Sequence, residues 1–137
     1  MAKTYTLSRA AELEVLPVFR DFIQRAGAEA GLSVDVCDDL KLAVDEACTN
    51  IIAHGYAGMD PGSIILDLRL APDCVEVRLT DFGHAFEPSE APAPDVSAAL
   101  DDRPMGGFGL FFIYSTMDQV DYQTNEDGNC LTLTRRL

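Results

Sequence analysis

Three polar side chains follow one another at intervals of four residues in an otherwise apolar stretch: Glu46, Asn50 and His54. On an α-helix this spacing places them along one face, here the rim of an apolar arc. A carboxylate, a carboxamide and an imidazole beside a core suit an acid/base group next to a metal or phosphate ligand. A polar helix rim without chemistry is the alternative explanation of the same pattern.

The predicted helix has two further faces. Its core-facing arc would consist of Val36, Leu40, Ala43, Val44, Ala47, Cys48, Ile51 and Ile52. Its solvent side would carry Asp38, Lys41 and Asp45. Helical phase therefore separates Glu46 from the neighbouring carboxylate of Asp45.

A second candidate residue ends a strand pattern. Asp81 follows alternating apolar residues and is itself followed by a turn that contains Gly83. Such a carboxylate can point into a pocket and accept a hydrogen bond from an exocyclic amine like that of adenine. Ordinary turn chemistry explains the aspartate equally well.

A glycine-rich segment is the third candidate, and it consists of Gly106, Gly107, Phe108, Gly109 and Leu110. Glycine lets the backbone approach an anion, and the apolar helix predicted to follow offers unpaired N–H groups and a positive dipole end. Glycines that only begin a helix are the alternative. The segment is not a P-loop, because no Lys-Ser or Lys-Thr pair follows the glycines.

These residues are carried by a predicted series of strands and helices. Alternating apolar residues predict strands over residues 4–7, 64–70, 74–79, 119–123 and 130–135. Helical patterns cover residues 8–30, with Ser8 as N-cap, residues 34–54 after Ser33, and residues 106–117. Pro17 disfavours an uninterrupted first helix, which would therefore begin late or kink there. The order predicts an α+β fold: a two-layer sandwich with helices packed on one face of a mixed, mainly antiparallel sheet.

Between the strand pattern that precedes Asp81 and the last predicted helix, the composition of the chain changes. Residues 84–105 contain four prolines with scattered Ala, Asp, Glu and Ser. A loop of this length in a compact domain is usually functional or disordered, so we interpret it as a lid. Arg103 is the only basic residue in it and is either a phosphate neighbour or a solvated charge.

Length and composition limit the classes of function. The 137 residues suffice for one core, so residues 1–137 are expected to form a single domain. A formal net charge of -13 disfavours binding to nucleic acid and to anionic membranes. No apolar run approaches the ~20 residues of a membrane span, and the N-terminus lacks an apolar signal region. The four cysteines form no CxxC motif, which indicates free thiols and a cytoplasmic location.

Taken in order, these features resemble the GHKL ATPase superfamily of gyrase and histidine kinases. The helix with Glu46 and Asn50 comes first, the strand-end Asp81 follows, and the glycine-rich segment closes the series. Within the superfamily the sequence is most similar to the bacterial anti-sigma-factor serine/threonine kinases. The similarity runs through nearly the whole chain and includes residues 45–50, 54–56, 109–113 and 117–118.

The resemblance implies roles for the matching residues. Asn50 would coordinate the Mg²⁺ that bridges the phosphates of ATP, Asp81 would bind the adenine amino group, and Glu46 would be the general base. The remaining ATP-binding candidates would be His54, Gly83, Arg103, Gly106, Gly107, Phe108, Gly109 and Leu110. Two departures from the family pattern are Ala85, where a second glycine is usual, and Phe82, where a small polar or acidic residue is common.

The leading hypothesis is an ATP-dependent serine/threonine kinase and anti-sigma factor. By resemblance it would sequester a sigma factor, phosphorylate an antagonist of the STAS type and form a homodimer. The alternative is a non-catalytic module that binds a partner and uses ATP only to order its lid. A histidine kinase catalytic domain is disfavoured because no phospho-acceptor helix precedes it, and an ATPase that activates water stays open.

Overall fold

The computed structural model describes residues 2–85 and 113–137. Within these ranges the elements are, in chain order, β1 (Lys3–Ala10), α1 (Val15–Ala30), α2 (Val34–Asn50), a π-helical turn (Ile51–Gly55), β2 (Ser63–Leu70), β3 (Cys74–Asp81), β4 (Gln119–Asn125) and β5 (Gly128–Arg136). Residues 113–116 are helical. The described strands form one sheet in the order β1-β2-β3-β5-β4, and each neighbouring pair is antiparallel.

The core lies between one face of this sheet and the two helices. Strands β2 and β3 alternate strictly between buried residues, which are apolar except for Asp81, and half-buried or exposed residues. The sheet contributes Ile64, Leu66, Leu68, Leu70, Val75, Val77, Leu79, Leu131 and Leu133, and the helices contribute Phe19, Ile23, Leu40, Ala43, Val44, Ala47 and Cys48. This arrangement confirms the predicted α+β sandwich, with helices on one face of the sheet.

The first strand is longer than predicted, and the first helix begins later. Ser8 does not cap a helix; it lies within β1, opposite Ile65 of β2. The pairing continues because β2 offers a strand of eight residues, and the Ala11 N–H still donates to the Gly62 carbonyl at 2.8 Å. Pro17 therefore falls in the first turn of α1, where backbone N–H groups have no helical partner. Of the two outcomes that Pro17 indicated, a late start and a kink, the structure shows the late start.

The second helix begins as predicted. The Ser33 hydroxyl accepts a hydrogen bond from the Val36 N–H at 3.2 Å, which is an N-cap. Before it, α1 ends at Gly31, whose φ of 77° is the left-handed conformation that glycine favours. Ser33 and Gly31 together set the turn that lays α2 beside α1.

The cysteines are free, as predicted: Cys37 and Cys48 are buried, and Cys74 and Cys130 are half-buried. Within residues 2–85 and 113–137, neither helix combines the length and the apolar character that crossing a membrane requires.

Candidate functional site

A cleft opens at the end of the sheet where β3 and β5 meet the C-terminal end of α2. Its described lining consists of Ala47, Asn50, Ile51, Gly55, Asp81, His84, Ile113, Tyr122 and Leu131. The walls are mostly apolar, with a carboxamide and a carboxylate among them, which is the usual character of a small-molecule site. The structure thus brings together Asn50 and Asp81, which are 31 residues apart in the chain.

The strand alternation aims Asp81 into this cleft. It continues the inward-facing row of Val77 and Leu79, and its side chain is 5% exposed. Its Oδ1 accepts hydrogen bonds from the Gly83 N–H and from the Asn129 carboxamide, both at 3.0 Å. No described residue donates a hydrogen bond to Oδ2. A carboxylate held by one oxygen and open at the other can accept from a ligand amine.

Asn129 fixes this carboxylate from the neighbouring strand. It is the cross-strand partner of Asp81 at the end of the β3–β5 ladder, and it is 3% exposed. Its Nδ2 also donates to the Gly83 carbonyl at 2.9 Å, while its Oδ1 accepts from the Thr124 hydroxyl at 2.6 Å. The buried carboxamide of Asn129 therefore forms hydrogen bonds to the end of β3, to the turn that follows β3 and to β4.

The turn after Asp81 packs directly against the π-helical turn. A Cβ added to Gly83 would lie 2.5 Å from the carbonyl carbon of Gly55, so only glycine fits there. The His84 N–H donates to the Gly55 carbonyl at 2.5 Å, and the His84 ring lies 3.2 Å from the Ala57 carbonyl oxygen. The predicted importance of Gly83 thus has a steric reason, which is close backbone approach.

Ala85 does not strain this turn. It is exposed, and no described residue other than glycine has a positive φ. The departure from the family glycine at this position therefore carries no backbone penalty in the structure.

Helix α2 presents Asn50 at the cleft and Glu46 one turn earlier. Asn50 is 6% exposed, and no hydrogen bond ties its carboxamide to another described residue. Glu46 is half-buried, and its pKa is raised above the ordinary value, first by burial and second by the charge of Asp45. A buried amide available to a ligand and a carboxyl group with raised basicity thus lie on one helix.

The solvent-directed placement predicted for Asp45 is wrong. Its side chain is only 23% exposed, and its Oδ2 accepts a hydrogen bond from the Arg20 guanidinium of α1 at 2.7 Å. The other oxygen, Oδ1, is buried and accepts no hydrogen bond from any residue that the structure describes. The packing of α1 against α2 covers this part of the helix, which the periodicity of α2 alone does not reveal.

The helix does not continue in α-form to His54. Residues Ile51–Gly55 form a π-helical turn, in which the Tyr56 N–H bonds the Ile51 carbonyl five residues earlier at 3.0 Å. The wider turn changes the helical phase, and Ile51 and Gly55 are the residues of this turn that line the cleft. His54 is half-buried and is not among the described lining residues, so its role as a phosphate neighbour stays a prediction.

A comparison with known proteins shows the family to which the chain belongs. A family model described as the histidine kinase-like ATPase domain matches residues 9–135. The chain belongs to the histidine kinase-like ATPase family. The resemblance stated from the sequence is thereby confirmed.

Relatives within the family are protein kinases by name. The serine-protein kinase RsbW of Listeria monocytogenes is 33% identical over 125 residues, which cover 88% of this chain and 80% of that protein. The serine/threonine-protein kinase BtrW of Bordetella bronchiseptica is 37% identical over 95 residues, which cover 69% of this chain and 67% of that protein.

A solved structure shows the same fold. The crystal structure of the RsbU and RsbW domains of a Mycobacterium tuberculosis protein matches with a TM-score of 0.72 and 20% identity. The match covers 98% of this chain and 32% of that one.

Part of the predicted site of this ATPase domain lies outside the described residues. These candidates are Arg103, Gly106, Gly107, Phe108, Gly109 and Leu110, together with the lid apart from its first two residues. Their assignment to the phosphates stays a prediction.

Two residues that hold Asp81 and the following turn in place are not among the candidates named from the sequence. Asn129 ends the turn-forming sequence of residues 126–129, and it also continues the inward-facing row of Leu131 and Leu133. A polar residue at the end of an apolar row, opposite a polar residue that ends another row, was the available signal. Tyr56, which contacts the turn after Asp81, lies in the 54–56 segment that is similar to the family, but neither its residue type nor its spacing indicated a role in the site.

Proposed function

We propose that this domain is an ATP-dependent protein kinase that transfers the γ-phosphoryl group of ATP to a serine or threonine hydroxyl of a partner protein. The observation that carries the proposal is the position of Asn50. Its buried carboxamide, without a partner among the described residues, lines the same cleft as Asp81, with Glu46 one turn away on α2.

The described residues suit a nucleotide with its metal ion. Asp81 would accept a hydrogen bond from the adenine amino group through Oδ2, since Asn129 and Gly83 already hold Oδ1. The apolar walls, such as Leu131 and Ile113, would pack against the base. Asn50 offers an oxygen of the kind that Mg²⁺ accepts, and Mg²⁺ commonly takes its other ligands from phosphates and water. Bound there, Mg²⁺ would neutralise phosphate charge during transfer.

Glu46 would act on the incoming hydroxyl. A carboxylate of raised basicity is a better proton acceptor than one with an ordinary pKa, and burial is the larger cause of that rise. Glu46 would accept the hydroxyl proton as the oxygen attacks phosphorus and the bond to the β-phosphate oxygen breaks. Most of the catalysis would come from the positions of the reacting groups and from charge stabilisation.

The resemblance to anti-sigma-factor kinases supports a choice of partners. We propose that the domain sequesters a sigma factor in the cytoplasm, phosphorylates a STAS-type antagonist and forms a homodimer. Direct binding to nucleic acid is not expected, because the net charge of -13 opposes it.

The test is phosphotransfer from labelled ATP to a STAS protein encoded nearby. Wild-type protein should produce phosphoserine or phosphothreonine, and Glu46→Gln should retain Mg-ATP binding but lose transfer. Glu126→Gln is the matched control, because Glu126 is exposed in the β4–β5 turn, and it should transfer normally. Tight ATP binding without transfer to any candidate partner would instead support the non-catalytic module, and equal transfer by Glu46→Gln would exclude Glu46 as the base.

A further inference from the structure

The hydroxyl of Tyr56 occupies an unusual place in the sheet. Backbone pairing between β2 and β3 reaches Ile64 opposite Asp81, and Ser63 and Phe82 are the next residues in line. The Tyr56 hydroxyl is inserted between these two: it donates to the Ser63 carbonyl at 2.7 Å and accepts from the Phe82 N–H at 3.0 Å. A side chain thus replaces the next step of the ladder.

This insertion is built into the core. Tyr56 is 6% exposed, and a Cβ added to Gly62 would lie 2.8 Å from its hydroxyl oxygen, so the chain leaves room for the ring. Burial raises the pKa of Tyr56, the hydrogen bond from Phe82 opposes that rise, and the charge of Asp81 adds to it. The hydroxyl therefore keeps its proton and can donate to the Ser63 carbonyl at neutral pH.

The insertion also decides where the chain goes after Asp81. Because the Phe82 N–H bonds to Tyr56 instead of β2, the chain leaves the ladder at Phe82. It then reaches the π-helical turn, where Gly83 packs on Gly55 and the His84 N–H bonds the Gly55 carbonyl. Tyr56 is bonded to that same turn through its own N–H.

We propose that Tyr56 is a positioning residue for nucleotide selection: its hydroxyl ends the β2–β3 ladder at Asp81 and fixes the Asp81 carboxylate relative to Asn50. The inference rests on the proposed function, because it gives Asp81 the task of accepting from a 6-amino group. A shift of the strand end would move the carboxylate away from that amine and would leave the apolar contacts to the base in place.

The test compares two nucleotides that differ at one ring position. Purine riboside triphosphate has a hydrogen where ATP has the 6-amino group, so the ratio of its dissociation constant to that of ATP measures the contribution of the hydrogen bond from that amino group to Asp81. Tyr56→Phe removes only the hydroxyl oxygen and should lower this ratio about tenfold, mainly through weaker ATP binding. A role confined to stability would reduce the folded fraction and leave the ratio unchanged.

Two further variants complete the experiment. Tyr5→Phe is the matched control: its ring packs edge-on against Phe22, 6.5 Å between centroids, and its hydroxyl bonds no described residue. It should keep the wild-type ratio. Gly83→Ala disturbs the same junction from the other side and should lower the ratio, which provides a second reading if Tyr56→Phe does not fold.

The outcomes distinguish a failure of the positioning role of Tyr56 from a failure of the proposed function. A wild-type ratio in the folded Tyr56→Phe variant, or in Gly83→Ala if Tyr56→Phe is unfolded, overturns the positioning role while the ATP site stands. Failure of the wild-type protein to bind ATP refutes the proposed function, and the inference falls with it.

Discussion

Replacing Asn129 with alanine should damage both stability and ATP binding. The amide makes three hydrogen bonds: to the Asp81 carboxylate at 3.0 Å, to the Gly83 carbonyl at 2.9 Å and to the Thr124 hydroxyl at 2.6 Å. A hydrogen bond to a charged group contributes about 1.5–3 kcal/mol and a neutral one about 0.5–1.5 kcal/mol. Because water can replace part of this set at the cleft, we expect the free energy of unfolding to fall by about 2–4 kcal/mol.

The ATP affinity of the same variant should fall about tenfold. Without Asn129, the Asp81 carboxylate keeps only the hydrogen bond from the Gly83 N–H and can rotate away from the adenine amino group. Tenfold corresponds to about 1.4 kcal/mol, which is in the range of one hydrogen bond to a charged group or slightly less.

Urea unfolding and calorimetric titration with Mg-ATP measure the two quantities. Asn125→Ala in the same hairpin is the matched control, since Asn125 is exposed and accepts one hydrogen bond, from the Asp127 N–H at 2.7 Å. It should lose no more than about 1 kcal/mol and bind ATP normally. If Asn129→Ala unfolds at the wild-type urea concentration and binds ATP with wild-type affinity, the Asn129 network has no such role.

Two other predictions concern α2. Asp45→Asn removes the charge that contributes to the raised pKa of Glu46 and therefore lowers that pKa. Phosphotransfer needs ionised Glu46 and is lost as pH falls through its pKa, so the acid limb of the rate profile should move to lower pH in Asp45→Asn. The control Asp38→Asn should leave the acid limb in place. An upward shift for Asp45→Asn would contradict the assignment of Glu46 as the base. Ser33→Ala removes the N-cap and should lower the free energy of unfolding by about 1 kcal/mol with unchanged ATP affinity; no loss in urea unfolding would show that the cap contributes nothing.

Local periodicity was enough to predict the elements that carry the site. The alternation in β2 and β3 and the apolar arc of α2 are repeated, short-range signals that burial against one core produces. They placed Glu46 and Asn50 on one helix and Asp81 at a strand end, and the structure confirms these placements. The family resemblance, which rests on the same residues, is confirmed by the match over residues 9–135.

The end of β1 could not be predicted from its own residues. Its partner β2 comes more than fifty residues later in the chain, and its pairing carries β1 through Ser8 to Ala10. Ser8 has the chemistry of an N-cap, but backbone pairing within the sheet outweighs that local preference.

The π-helical turn and the Arg20–Asp45 ion pair depend on tertiary contacts in the same way. A spacing of four residues from Asn50 to His54 is compatible with an α-helix, whereas the wider turn is found where Gly55 packs on Gly83. Asp45 appears solvent-directed on α2 alone because its partner belongs to α1. Contacts between elements, and not residue propensities, set these parts of the site.

The central claim is that Asn50 and Asp81 line one nucleotide site, and calorimetric titration of Asn50→Ala with Mg-ATP tests it most directly. The account predicts that heat of Mg-ATP binding is abolished in Asn50→Ala, while the variant unfolds cooperatively like the wild type and Asn125→Ala binds normally. Wild-type Mg-ATP affinity in a folded Asn50→Ala variant would contradict the account.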